Sequence, residues 1–233
     1  LSAVFITGNW GLYVWAVAHD HVIEASLAYF LVPLVSVAFG VLLFGEPITR
    51  LQFGALALAG VGIAAQAAAI GAFPWVALAL CLSWSLYSLV RKQAPVPAAG
   101  GLLAETMILA PAAAVGLWWL ARQPEGVAFG AGATPSLLLG LLGVVTAAPL
   151  ILFAFGARRL RFSTLGMLQF IAPSLQFLIG VAWGEPLTPL RLFSFAVIWA
   201  GLAIYTWDAI ARERRLAAAA PSRASTASPG SAE

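Results

Sequence analysis

Eight apolar runs, each close to the length of a membrane span and separated by short breaks, constrain this chain more than any other feature. They fall at roughly 2–18, 23–44, 50–70, 73–90, 101–121, 135–157, 162–183 and 190–210. A helix needs about 20 apolar residues to cross the ~30 Å hydrocarbon core of a bilayer. The runs are continuously apolar rather than alternating, which selects helices over barrel strands. Only 9% of the 233 residues are charged, against about 25% in a soluble domain. The expected fold is therefore all-α and transmembrane, with eight spanning helices and the lipid bilayer as solvent.

The breaks carry turn chemistry: Gly45-Glu46-Pro47, Phe73-Pro74 and the segment from Gln93 to Pro97. Short connections make neighbouring helices antiparallel. The net charge of +3 is no mark of nucleic acid, because its placement is topological. Following alternate connections, Arg50, Arg91, Lys92, Arg158, Arg159, Arg161, Arg212, Arg214, Arg215 and Arg223 share one side, and Arg122 and Arg191 the other. Such a skew puts the basic side, and with it the C-terminus, in the cytoplasm. The one cysteine, Cys81, excludes an intramolecular disulfide framework. Residues 216–233 are small, polar and aperiodic, and read as a disordered cytoplasmic tail.

Two segments repeat. An apolar stretch around Pro33 runs into Gly45-Glu46-Pro47, and one around Pro173 runs into Gly184-Glu185-Pro186. The glutamates stand 139 residues apart (185 − 46), room for five helices. An odd number inverts the second unit relative to the first, and inverted repeats with a substrate site between them are a recurrent transporter design. Residues 1–70 then form the last three helices of one repeat and 71–215 a complete second repeat. On that reading the first unit lacks two helices, and the chain, opening on Leu1, is an N-terminally truncated ten-helix (5+5) protein.

An ordered set of motifs resembles the RarD-type permeases of the EamA-type drug/metabolite transporter superfamily. The set is Gly8-Asn9-Trp10, His21 with Glu24, the Pro33 helix with Gly45-Glu46, Leu89 with Arg91-Lys92, Glu105-Thr106-Met107, Arg159 with Arg161 and Ser163 to Gly166, and the Pro173 helix with Gly184-Glu185. The resemblance spans nearly all of residues 1–215. It implies a ten-helix inverted-repeat fold, the cytoplasmic (inner) membrane, export of small metabolites or drugs, and an association with chloramphenicol.

Ionisable groups inside spans are expensive and mark candidate functional sites. Glu105 heads them, as a cation or proton-coupling group; the competing reading is an acid favoured by a helix dipole. Asn9, Trp10, Tyr13, Trp84, Tyr87, Gln169 and Gln176 are polar or aromatic candidates for contacting a solute or coupling ion. Tryptophans near span ends are also ordinary interfacial anchors. Pro33 and Pro173 are helix-break candidates that free the carbonyls of Tyr29 and Gln169 beside a cavity. Glu46 and Glu185 read as gate or hinge elements. His19, His21 and Glu24, around Asp20, form either a proton relay or a solvated turn. The His-Asp-His run has no second set of ligands, so neither a metal nor a cofactor is expected.

The leading function is a secondary carrier for a small molecule, with a proton as coupling ion. No P-loop is present to use ATP, and neither G-x-S-x-G nor H-E-x-x-H occurs. A catalytic role is therefore not expected. A non-transporting membrane scaffold stays open as the alternative. The Ala/Gly-rich stretch Gly54 to Gly60 permits close helix packing within or between chains, so a homodimer is possible.

Overall fold

A backbone buried in hydrocarbon must satisfy its own polar groups, and the observed secondary structure is helical throughout. The computed structural model describes residues 1–71, 73–123, 130, 132–182 and 188–219. Among them nine helices run in order: α1 (Ser2–Ala18), α2 (Val22–Phe44), α3 (Arg50–Ile70), α4 (Trp75–Gln93), α5 (Ala98–Leu120), α6 (Ala133–Arg159), α7 (Phe162–Leu168), α8 (Ile171–Ala182) and α9 (Pro189–Ala219).

Each of the eight expected runs carries helix among the described residues, with some departures. Among the described residues, six stretches are long and apolar enough by length and composition to cross a membrane: 24–44, 50–68, 98–120, 133–159, 162–179 and 192–212. Helix α1 is only 17 residues long, and α4 carries Ser83, Ser85 and Ser88 and ends on Arg91, Lys92 and Gln93. The seventh expected span is two helices, α7 and α8, parted at Gln169-Phe170. There the ladder tightens, with the Gln169 amide on the Gly166 carbonyl and the Phe170 amide on the Met167 carbonyl. Pro173 explains the site, since it cannot donate to the Gln169 carbonyl four residues back. Pro33 behaves otherwise, for α2 runs unbroken through it. The last helix also outlasts its expected end, reaching Ala219, because Arg, Glu, Leu and Ala are all good helix formers. Residues 220–233, and Glu185 with the rest of 183–187, lie outside the described residues.

The chain divides into two compact units: Leu1–Glu46 with Ala67–Pro186, and Pro47–Gln66 with Leu187–Glu233. The first unit holds both candidate sites. Helix α2 lies along α4 and α7, and α1 lies along α4. The crossing of α2 and α7 depends on Gly166, where a Cβ would stand 2.6 Å from the Ser36 Cβ and 2.9 Å from the Pro33 carbonyl. Beside this crossing Ala157, Phe162 and Leu165 are buried, with Phe39, Phe44, Leu89 and Phe153 packed around them. On α5 and α6 the outer faces are apolar and exposed, including Val115, Trp118, Trp119, Leu138, Val144 and Val145. Surface of that kind is stable in lipid and not in water.

In the second unit, α3 opens with a reciprocal cap. The Gln52 amide donates to Thr49 Oγ1 at 3.0 Å, and the Thr49 amide to Gln52 Oε1 at 3.1 Å. Thr49 Oγ1 also donates to Asp208 of α9 at 2.7 Å. The small side chains of α3 pack within this unit: Ala55 and Ala59 meet α9 at Gly201, while Gly54 and Gly60 face open space.

Candidate functional site

Helical spacing gathers one polar-aromatic face from each of several helices. Asn9, Trp10 and Tyr13 share a face of α1; Ala25, Ala28, Tyr29 and Val32 share one of α2; Leu80 and Trp84 stack one turn apart on α4. With Phe153 of α6, and Gln169 and Ala172 at the α7–α8 break, they line a cleft of about 370 Å³. The small side chains of Ala25 and Ala28 leave room that the aromatics of α1 and α4 frame.

The polar groups of the cleft brace one another. Asn9 Nδ2 donates to the Leu80 carbonyl at 2.9 Å and to Ser83 Oγ at 2.8 Å, joining α1 to α4. Trp84 Nε1 donates to Gln169 Oε1 at 2.6 Å, joining α4 to the helix break. Gln169 Nε2 in turn reaches Ser36 Oγ of α2 at 3.4 Å. The Trp84 indole packs on Phe153, centroids 5.2 Å apart, and Tyr13 meets Tyr29 edge-on at 6.5 Å. Among the described residues, no charged side chain lines the cleft. Chemically the cleft offers aromatic faces and fixed amides, which suits an uncharged amphipathic solute.

Glu105 is not there. It lines a separate groove of about 550 Å³ between α1, α5 and α6, with Thr7, Thr106, Thr146 and apolar neighbours. Trp10 lines both hollows. The Glu105 carboxylate is buried and stands 3.5 Å from Arg91 Nη1 of α4, itself 3% exposed. Neither Glu105 oxygen has a hydrogen-bond partner among the described residues, nor does the buried Tyr87 hydroxyl. Arg91 Nη2 donates to the Ala98 carbonyl at 2.6 Å. Gly101 makes this possible, because a Cβ there would lie 1.7 Å from Arg91 Nη1.

The basic end of the first unit is tied shut by terminus chemistry. Gly45, in the left-handed region at φ +61°, ends α2 and turns Glu46 back. Glu46 then accepts from the Phe162 and Ser163 amides at 2.6 and 2.9 Å, and from the Ser163 hydroxyl, capping α7 from the turn that follows α2. Lys92 Nζ caps the other polarity, donating to the carbonyls of Ala157 and Leu160 at the end of α6. Arg158 reaches the Val96 carbonyl.

At the opposite end, the ring of Trp15 stacks with both His19 and His21, with centroid distances of 4.7 and 5.3 Å. His21 Nδ1 pairs with Glu24 Oε1 at 2.9 Å, and Glu24 Oε2 accepts from the Val76 amide at 3.3 Å. Glu24 thus caps α4 as well as holding a histidine. Asp20 turns the chain between α1 and α2 at φ +62°.

The sequence candidates therefore separate. Asn9, Trp10, Tyr13, Trp84 and Gln169 meet in the cleft; Glu105 and Tyr87 do not belong to its lining; Gln176 lies on α8, and its side chain is outside the described residues. Sequence reasoning missed Tyr29 and Phe153 as cleft walls and Arg91 as the partner of Glu105. The signal for Tyr29 was its place on the same α2 face as Ala25 and Val32. Arg91, at a span end, read only as a topology marker.

Residues 1–66 match the model of the EamA-like transporter family. "Protein RarD" of Streptomyces exfoliatus is 42% identical over 226 residues, covering 95% of this chain and 72% of that protein. "Chloramphenicol-sensitive protein RarD" of Pseudomonas aeruginosa is 34% identical over 214 residues, covering 89% of this chain and 69% of its own. A solved crystal structure 26% identical in sequence superposes with a TM-score of 0.63, over 88% of this chain and 75% of its own.

Proposed function

Because this chain belongs to the RarD-type permeases of the EamA-like transporter family, we propose that it works as a secondary carrier exporting a small uncharged amphipathic solute, bound in the cleft between α1, α2, α4 and α6. The observation that carries this reading is the described lining of the cleft: aromatic faces and braced amides, with no charge among those residues. A volume of about 370 Å³ lies within the usual range for small-molecule sites, roughly 300–1,000 Å³. Chloramphenicol, named for one relative, is a candidate for this class of solute.

The skew of basic residues supports a cytoplasmic location for the α2–α3, α4–α5 and α6–α7 connections and the C-terminus, in a cytoplasmic (inner) membrane. The two Gly-Glu-Pro sequence motifs, 139 residues apart, support an inverted repeat, three helices followed by five. A gradient rather than catalysis supplies the work, with a proton as coupling ion.

The test is accumulation of a panel of neutral aromatic solutes, chloramphenicol included, in a strain lacking its own drug exporters. Expression of the full chain is expected to lower the intracellular level of at least one, and Trp84→Ala to restore it. Unchanged levels across the panel, with the protein present in the membrane, refute the exporter reading.

A further inference from the structure

We propose that Glu105, held against Arg91 at the side of the groove between α1, α5 and α6, is a proton-binding site physically separate from the solute cleft. The inference deepens the carrier reading by assigning the coupling ion a place.

The geometry is that of an acid positioned but not satisfied. A carboxylate taken out of water needs hydrogen bonds as well as a counter-charge. Glu105 has the charge, Arg91 Nη1 at 3.5 Å, and no hydrogen bond on either oxygen from the described residues. The contrast with the two other buried or capping acids of this unit is direct. Glu24 and Glu46 have their oxygens filled by backbone amides and side-chain donors. They are structural; Glu105 is left able to exchange a proton.

Arg91 is arranged to tolerate that exchange. When Glu105 takes a proton, its charge falls from −1 to 0 and the pair passes from neutral to +1. The guanidinium is then not orphaned, because Nη2 already donates to the Ala98 carbonyl at 2.6 Å. The uncompensated charge sits one residue from Lys92, whose ammonium closes the end of α6. Protonation thus adds electrostatic load where the basic end is tied shut. Among the described residues, the ionisable groups facing Glu105 are Arg91 and Tyr87, whose hydroxyl lies within electrostatic reach of both partners. The walls from α1 and α6 contribute Thr7, Trp10 and Thr146 and no ionisable side chain. Trp10 lines the groove on one side and the cleft on the other, so it is the direct physical link between the proton and the solute.

A hydrophobic carbodiimide, dicyclohexylcarbodiimide, reacts with a protonated carboxyl it can reach from the bilayer. Membranes holding the full chain are treated with it across a range of pH, and the modified residues are mapped by mass. Label is expected on Glu105, rising up to about tenfold per pH unit as the pH falls, and exceeding that on Glu24, the hydrogen-bonded reference acid. It is lost in Glu105→Gln. Mapping on the unaltered chain keeps the test valid should that variant not fold. Label on Glu105 that is flat with pH, or no greater than on Glu24, overturns the proposal. The label does not depend on any solute. Absent export with pH-dependent label intact would therefore refute the exporter reading and uphold the proton site.

Discussion

The cleft and the groove share Trp10 yet are built on opposite rules. Around the cleft, two separate sets of hydrogen bonds hold the walls: Asn9 to Ser83 and the Leu80 carbonyl pins α1 to α4, and Trp84 through Gln169 to Ser36 pins α4 and α2 to the helix break. In the groove, Glu105 and the nearby Tyr87 are buried with no hydrogen-bond partner among the described residues. A paired polar group in an apolar setting fixes geometry, whereas an unpaired one stores chemistry. The difference separates holding a solute from carrying an ion, and each half can be broken alone.

The largest effect is expected from Glu105→Gln, which removes the exchangeable proton and leaves the shape. Gradient-driven efflux from proteoliposomes falls to the level of empty vesicles. Next comes Gly101→Ala. Its Cβ would collide with Arg91 Nη1, forcing the guanidinium off Glu105; overpacking and a separated ion pair together cost about 2–3 kcal/mol. The measurement is the loss of thermal stability in detergent, and a change below ~0.5 kcal/mol would show that Arg91 has room the structure does not. Trp84→Phe keeps an aromatic face and removes only the donor to Gln169. Solute affinity is expected to weaken about fivefold, near 1 kcal/mol, with stability almost unchanged. Asn9→Ala is the mildest. The Leu80 carbonyl still accepts from Ser83 Oγ, so stability drops by about 0.6 kcal/mol, the average for such bonds between membrane helices.

How much of this was legible follows from what each feature depends on. Long apolar runs report their solvent directly, so the all-helical membrane fold could be read from hydropathy alone. The Pro173 break was legible too, because a proline removes a named backbone bond. Pro33 was not distinguishable from it by sequence: whether a helix continues through proline depends on neighbours, and α7 packs against α2 there at Gly166. Asn9, Trp84 and Gln169 were visible as polar groups in apolar runs, but the bonds they make, Asn9 to the Leu80 carbonyl and Trp84 to Gln169, join residues 71 and 85 positions apart. Arg91 was hidden by its own usefulness as a topology marker. Its pairing with Glu105 rests on the missing side chain of Gly101, a steric fact with no periodic signature. Glu46 announced a turn through Gly45 and Pro47, yet its role as the cap of α7 required a partner 116 residues away.

The separation of the two sites is tested most directly by measuring equilibrium solute binding and gradient-driven efflux side by side, on Glu105→Gln and Trp84→Ala proteins in proteoliposomes. Glu105→Gln is expected to bind solute within about twofold of the unaltered chain, a difference of only ~0.4 kcal/mol, while losing efflux. Trp84→Ala is expected to lose both in proportion. Loss of binding in Glu105→Gln equal to its loss of efflux would contradict two separate sites, and would place the acid and the solute in one.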